Sequence, residues 1–132
     1  MNKKLRVLFD EKGNIIHSIG KKSTIVEAVA VLNEYHIGAL IVLDDDGIIE
    51  GIITERDILI LLGSTNDTVG HLLVKEIMTP KDKLIIGNGD DTIEHIMSIM
   101  RDNNIRHIPI VDEDGVLKGV LSMRDIIRIL LA

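Results

Sequence analysis

The chain has 132 residues, 45% of them hydrophobic, enough for one compact domain or two very small ones with a real core. Its 21 acidic against 15 basic side chains, with one Phe, one Tyr and no Trp, disfavour a general nucleic-acid binder, which needs a basic surface and aromatic rings on which unpaired bases stack. There is no Cys, which removes disulfides, thiol nucleophiles, iron–sulfur clusters and Cys-based zinc sites and fits a reducing cytosol.

The basic start, Met1-Asn-Lys-Lys4, leads into an apolar run that ends at Asp10, too soon for a signal peptide. The run Ile58–Leu62 is far too short to span a bilayer, so a soluble, cytoplasmic chain is expected. A short strand is expected around Ile15–Ile19. Thr24-Ile-Val-Glu27 then has the spacing of a capping box, and Ile25, Ala28, Val29 and Leu32 recur at i, i+3, i+4 and i+7, one apolar stripe of a helix. Two β-rich runs follow, Ala39–Leu43 and Ile48–Thr54, joined by the turn Asp44-Asp-Asp-Gly47, and a short helix covers Glu55–Leu62. Residues 63–71, rich in Gly, Ser, Thr, Asn and Asp, read as a linker, and a helix over Leu72–Met78 is ended by Pro80.

The same order then returns. A short strand is expected at Leu84–Ile86, capping-box spacing at Asp91-Thr-Ile-Glu94, and a helical stripe at Ile93, Ile96, Met97 and Met100. Strands are expected at Ile108–Val111 and Val116–Ser122 around the turn Asp112-Glu-Asp-Gly115, with a last helix over Met123–Leu131. Sliding the sequence by 68 positions lays residues 24–59 on 92–127 without a gap, and 10 of the 36 pairs are identical, among them Gly51/Gly119, Arg56/Arg124 and Asp57/Asp125. The chain therefore reads as an α+β fold of two β-α-β-β-α repeats, 1–66 and 67–132. Each is too small to bury enough surface alone. Packing face to face through their sheets about an approximate two-fold axis would make the pair the folding unit.

These residues resemble a known family, the CBS domain (named for cystathionine β-synthase) in its tandem form, over roughly residues 5–131. The carriers are Ile37-Gly-Ala-Leu-Ile-Val-Leu-Asp44 and Gly51-Ile-Ile-Thr-Glu-Arg-Asp-Ile58 in the first copy. In the second they are Ile77-Met-Thr-Pro80, Arg106-His-Ile-Pro-Ile-Val-Asp112 and Gly119-Val-Leu-Ser-Met-Arg-Asp-Ile126. The chain looks most like free-standing CBS pairs. The resemblance implies two clefts that bind adenosyl ligands: AMP, ADP or ATP, in some members S-adenosylmethionine or NAD(H). It also implies a homodimer forming a four-repeat disc, and an activity that belongs to an unknown regulated protein rather than to the repeats. It makes Asp57 and Asp125 ribose binders and turns Arg56 and Arg124 toward phosphate. Thr79, Ser122 and the adenine-lining stretch Arg106-His107-Ile108-Pro109 fall to the second cleft, and Ile37, Gly38, Ala39, Leu40 and Thr54 to the first.

The residues bear on this without the family. Thr54 and Ser122 stand where a strand passes into a helix, whose N-terminus offers unpaired N–H groups and a positive dipole end to an anion. A carboxylate there can accept from both hydroxyls of a ribose. The same Thr54-x-x-Asp57 and Ser122-x-x-Asp125 spacing also suits helix capping alone. A cation in the first turn opposes the dipole, by about 0.3–1 kcal/mol at exposed sites, so Arg at both equivalent positions points to an anion nearby. With so few aromatics, adenine would be held by aliphatic side chains and backbone groups. The copies differ: the first has Ile41 for Pro109, Gly38-Ala39 for Arg106-His107, and Asp10-Glu-Lys-Gly13 for Met78-Thr-Pro80, so the second is expected to be the better AMP site. The five histidines (His17, His36, His71, His95, His107) show no metal-ligand spacing, and Mg2+ is expected only with a polyphosphate. Asp44–Asp46 has too few ligands for a calcium loop. No Gly-x-Ser-x-Gly, P-loop or GxGxxG follows a strand, so no catalytic residue is assigned. A regulatory sensor of adenine nucleotides is expected. The alternatives are a ligand-free scaffold for dimerisation and partner docking, and an NAD(H)- or S-adenosylmethionine-binding regulator.

Overall fold

A computed structural model describes residues 4–5 and 16–131, and Asp10–Gly13 and Ile15 lie outside them. The fold is α+β with two small sheets, and the chain divides into two compact units, residues 17–84 and residues 1–16 with 85–132.

The 17–84 unit runs β1 (Ser18–Ile19), α1 (Ile25–Tyr35), β2 (Ala39–Leu43), β3 (Ile49–Thr54), α2 (Glu55–Ser64), α3 (Val74–Ile77) and β4 (Thr79–Pro80). Its sheet has the order β1-β2-β3-β4. The parallel neighbour β1 is reached through α1, as a parallel connection requires, whereas β2 and β3 form a hairpin. Leu40, Val42 and Ile53 point from one face of this sheet into a core with Ile25, Ala28, Leu32, Ile58 and Val74. Ile41 and Ile52, paired across the hairpin, occupy the other face and are buried as well.

The other unit runs β5 (Gly87–Asn88), α4 (Ile93–Asn103), β6 (His107–Val111), β7 (Leu117–Ser122) and α5 (Met123–Leu131), with sheet order β5-β6-β7. Its core gathers Ile93, Ile96, Met100, Ile108, Ile110, Leu121 and Ile126 around a residue from the other end of the chain, Leu5, which is fully buried. The Leu5 N–H donates to the Asp91 carbonyl at 3.0 Å, and Lys4 bridges to Thr92.

The 68-residue offset holds in the finest local detail. Ala39 pairs with Thr54 and His107 with Ser122, and both hairpins slip register at equivalent places, between Val42 and Leu43 and between Ile110 and Val111. Helices α1 and α4 both end on a left-handed residue, His36 (φ 54°) and Asn104 (φ 53°). In the turns, Asp44 Oδ1 accepts from the N–H groups of Asp46 and Ile48, and Asp112 Oδ1 from those of Asp114 and Val116. Gly47 (φ 78°) and Gly115 (φ 80°) supply the positive φ that closes each turn. The Val116 N–H, foremost among its neighbours, holds the Asp112 carboxyl below the usual carboxylate range.

Several boundaries differ from the sequence reading. Among the described residues the first short strand is Ser18–Ile19, and the second is Gly87–Asn88 rather than Leu84–Ile86, because pairing partners on β2 and β6, not local β propensity, decide where an edge strand lies. Helix α3 is one turn, not Leu72–Met78. Thr24 and Glu27 make the expected reciprocal capping box. In the second copy Thr92, not Asp91, caps α4 by accepting from the His95 N–H, and Asp91 Oδ2 takes the Asn88 N–H instead. The expected repeat boundary at 66/67 also differs from that of the compact units. Residues 72–84 stay with the first repeat, where Val74 is buried in the core and Thr79-Pro80 adds an edge strand beside Gly51 and Ile52.

That edge strand needs Gly51. A Cβ there would lie 2.5 Å from the Thr79 carbonyl oxygen and 3.0 Å from Met78 Sδ. Gly51→Ala is expected to expel β4 and cost about 1–3 kcal/mol, by the strain of inserting an atom into a filled space. A lower melting temperature with faster amide exchange at Ile52 would show it, and unchanged exchange there would refute it.

Candidate functional site

Each repeat builds the same junction where its hairpin ends and its last helix begins. In the first, the Glu55 N–H donates to the Gly38 carbonyl at 2.9 Å, and Ala39 stands opposite Thr54. In the second, the Met123 N–H donates to the Arg106 carbonyl at 2.8 Å, and His107 stands opposite Ser122. The entry to the inner strand and the first turn of the helix are thereby tied together. Gly38, Ala39, Thr54, Arg56 and Asp57 come together in one unit, and Arg106, His107, Ser122, Arg124 and Asp125 in the other.

The capping reading of these segments is realised in both. Asp57 Oδ2 accepts from the Thr54 N–H at 2.9 Å while Thr54 Oγ1 accepts from the Asp57 N–H at 3.1 Å. Asp125 Oδ2 accepts from the Ser122 N–H (3.0 Å) and hydroxyl (2.9 Å), and Ser122 Oγ accepts from the Asp125 N–H (3.1 Å). The cap engages one oxygen of each carboxylate. The other oxygen of Asp125 lies 4.0 Å from Arg128 Nη1, one turn along α5. Both carboxylates are half-buried, and Arg56 and Arg124 are exposed. Capping orients the aspartates and fixes them at the helix start.

Three sequence assignments change character. Leu40 and Ile108 are fully buried in the cores of their own units, because alternation along β2 and β6 turns them toward α1 and α4. They support the junctions from behind and cannot clamp a base with their side chains. Pro109, one residue on, is on the opposite sheet face and buried, and Ile37 is half-buried against the first core. Thr79, assigned to the second cleft, pairs with Ile52 as an edge of the first repeat's sheet. Glu55, not singled out from the sequence, occupies the first helical position of α2, where Met123 stands in the second copy.

Among the described residues no three His, Asp or Glu side chains gather as a metal site, and no helix is long and apolar enough to cross a membrane.

The CBS domain family matches residues 14–64 and 74–132, the two repeats almost in full. The chain belongs to the CBS domain family. It is similar, at 36% identity over 117 residues covering 88% of this chain and 68% of the relative, to a 17.7 kDa protein of Acidianus ambivalens. It is 34% identical over 107 residues to a mitochondrial CBS domain-containing protein of Arabidopsis thaliana, covering 80% of this chain and 52% of that one. An inosine-5'-monophosphate dehydrogenase of Nitrosopumilus maritimus is 28% identical over 110 residues, 83% of this chain, but the match spans 21% of the enzyme. The chain thus spans about two thirds, half and a fifth of these relatives. Among solved structures, a CBS-domain containing protein from Agrobacterium tumefaciens superposes with TM-score 0.89 at 30% identity, covering 97% of this chain and 93% of that one. A CBS domain pair crystallised with 5'-methylthioadenosine and S-adenosyl-L-methionine superposes with TM-score 0.76 at 26% identity, covering 98% and 97%.

Proposed function

We propose that this CBS pair is a non-catalytic regulatory module that binds an adenosyl ligand, AMP foremost, at the second-repeat junction. The observation that carries the reading is Arg124 in the first turn of α5, beside Asp125 and the strand entry Arg106-His107, an arrangement an isolated helix would disfavour and an anion would reward. In this reading Arg124 and Arg106 meet phosphate, Asp125 takes the ribose diol, and His107 and Pro109 border the base. Support comes from the CBS pair that holds two adenosyl compounds, at 26% identity. An AMP-sized ligand of about 23 heavy atoms at about 0.3 kcal/mol per atom gives about −7 kcal/mol, on the order of 10 μM, an affinity suited to sensing. The module passes its state to a partner as a homodimer, supported by exposed apolar residues at equivalent places on α2 and α5, Leu59 (68% exposed) and Ile127 (50%).

The test is calorimetry with AMP, ATP, NADH and S-adenosylmethionine on the wild type and on Asp125→Ala. AMP is expected to bind the wild type and raise its melting temperature, and Asp125→Ala is expected to lose at least tenfold in affinity, the cost of one hydrogen bond to a charged group. Failure of every adenosyl ligand to bind, or equal binding by Asp125→Ala, sinks the reading. The completed caps favour one second reading, a ligand-free docking scaffold in which both aspartates serve only their helices. It predicts a binding-silent chain whose Asp57→Ala and Asp125→Ala variants differ from the wild type in stability alone.

A further inference from the structure

Between the two junctions the backbone is the same and the charges are not. The first turn of α2 carries Glu55, Arg56 and Asp57, and the strand entry beside it is Gly38-Ala39, so one cation stands with two anions. At the second junction Met123 replaces the acid, Arg124 and Asp125 repeat, and the entry is Arg106-His107, so three arginines, counting Arg128 at 4.0 Å from Asp125, and a histidine stand with one anion. Glu55 is exposed and sits at the helical position nearest the Gly38 carbonyl, to which its own N–H is bonded at 2.9 Å. Its carboxylate is thus carried by the first residue of the helix, the end to which an incoming anion would be drawn, and its charge favours the helix dipole.

We infer that the two repeats are sorted by ligand charge and that Glu55 is the residue that decides it. The second junction takes adenosyl ligands that carry phosphate, and the first takes adenosyl ligands that carry none, a neutral thioether nucleoside or a sulfonium. The inference rests on the proposed adenosyl function and goes beyond it by giving each junction its own ligand class. Two carboxylates and a single guanidinium leave the first junction net negative, which repels a phosphate dianion and tolerates an uncharged or cationic 5'-substituent. A doubly charged ligand feels each added carboxylate twice over, so a single residue is enough to reverse the preference.

The experiment titrates 15N-labelled wild type, Glu55→Gln, Met123→Glu and Met123→Gln with AMP and, separately, with 5'-methylthioadenosine. Amides of residues 55–57 and 123–125 report each junction on its own. In the wild type AMP is expected to shift only the second set, and 5'-methylthioadenosine the first. Glu55→Gln is expected to gain roughly tenfold in AMP affinity at the first junction, with 5'-methylthioadenosine bound there as before, and the gain should shrink in high salt. Met123→Glu is expected to lose roughly tenfold for AMP at the second junction, while Met123→Gln, of the same size and uncharged, keeps it and so accounts for any repacking of this half-buried position. If AMP fills both wild-type junctions alike, or Glu55→Gln leaves first-junction AMP binding unchanged while 5'-methylthioadenosine still binds, charge sorting is overturned and the adenosyl reading stands. If neither compound shifts either set, the adenosyl reading fails and the sorting with it.

Discussion

Leu5→Ala is expected to destabilise the unit formed by residues 85–132 by about 3 kcal/mol, within the range of about 2–5 kcal/mol measured when a fully buried leucine is truncated. Leu5 is 0% exposed and is one of eight buried residues in that unit's core, so its loss leaves a void beside Ile93, Ile96 and Met100. A unit this small has little stability to spare, and a cavity of that size is a large fraction of it. The backbone bond from the Leu5 N–H to the Asp91 carbonyl, and the contact of Lys4 with Asp90 at 3.7 Å, hold the segment against the loop that starts α4. Amide hydrogen exchange gives the check. Protection should fall in α4, β6, β7 and α5 by far more than in α1, β2 and β3, although residue 5 precedes the first repeat in the chain. Equal loss in both units, or a melting temperature unchanged from the wild type, would show that Leu5 does not complete this core.

For Arg124→Ala, stability and binding should move in opposite directions. The guanidinium lies in the first turn of α5, against the positive end of the helix dipole, so its removal should stabilise the ligand-free protein by about 0.3–1 kcal/mol. Arg and Ala have similar helix propensities, and the side chain is exposed, so nothing else of size changes in the helix. If the arginine meets a phosphate, the same change forfeits a charge-assisted hydrogen bond of about 1.5–3 kcal/mol, roughly a 10- to 100-fold loss in AMP affinity. Thermal melts without ligand and calorimetry with AMP measure the two effects separately. A variant that melts lower without ligand would mean that Arg124 has a structural partner. A variant that melts higher yet binds AMP as before would leave the misplaced cation without a function in binding.

Whatever a few neighbouring residues can express is legible in the sequence. The hairpin turns at Asp44–Gly47 and Asp112–Gly115, the Thr24 box, the apolar stripes of α1 and α4 and the paired Thr54/Asp57 and Ser122/Asp125 segments all form where their spacing places them. The one misread cap shows how close such patterns run. Asp91 and Thr92 are adjacent and both can cap, and the choice falls to Thr92 because Asp91 is drawn to the Asn88 N–H. At the candidate site the sequence identifies the charged and hydroxylated residues but puts Leu40 and Ile108 in a binding role. Which face of a buried strand meets the helices is decided by packing, and a strand apolar at every position carries no alternation from which to read it.

By itself the sequence determined the duplication, the α+β class, the order of elements in each repeat, and the two helix starts with their aspartates and arginines. These depend on side-chain patterns a few residues long, and the pattern occurs twice. Only the tertiary structure decided that Thr79-Pro80 extends the first repeat's sheet, that Leu5 fills the second repeat's core, and that the strand entries lie against the helix starts. Those arrangements join residues far apart in the chain through backbone hydrogen bonds and shared volume, and neither is written in the identity of any single side chain.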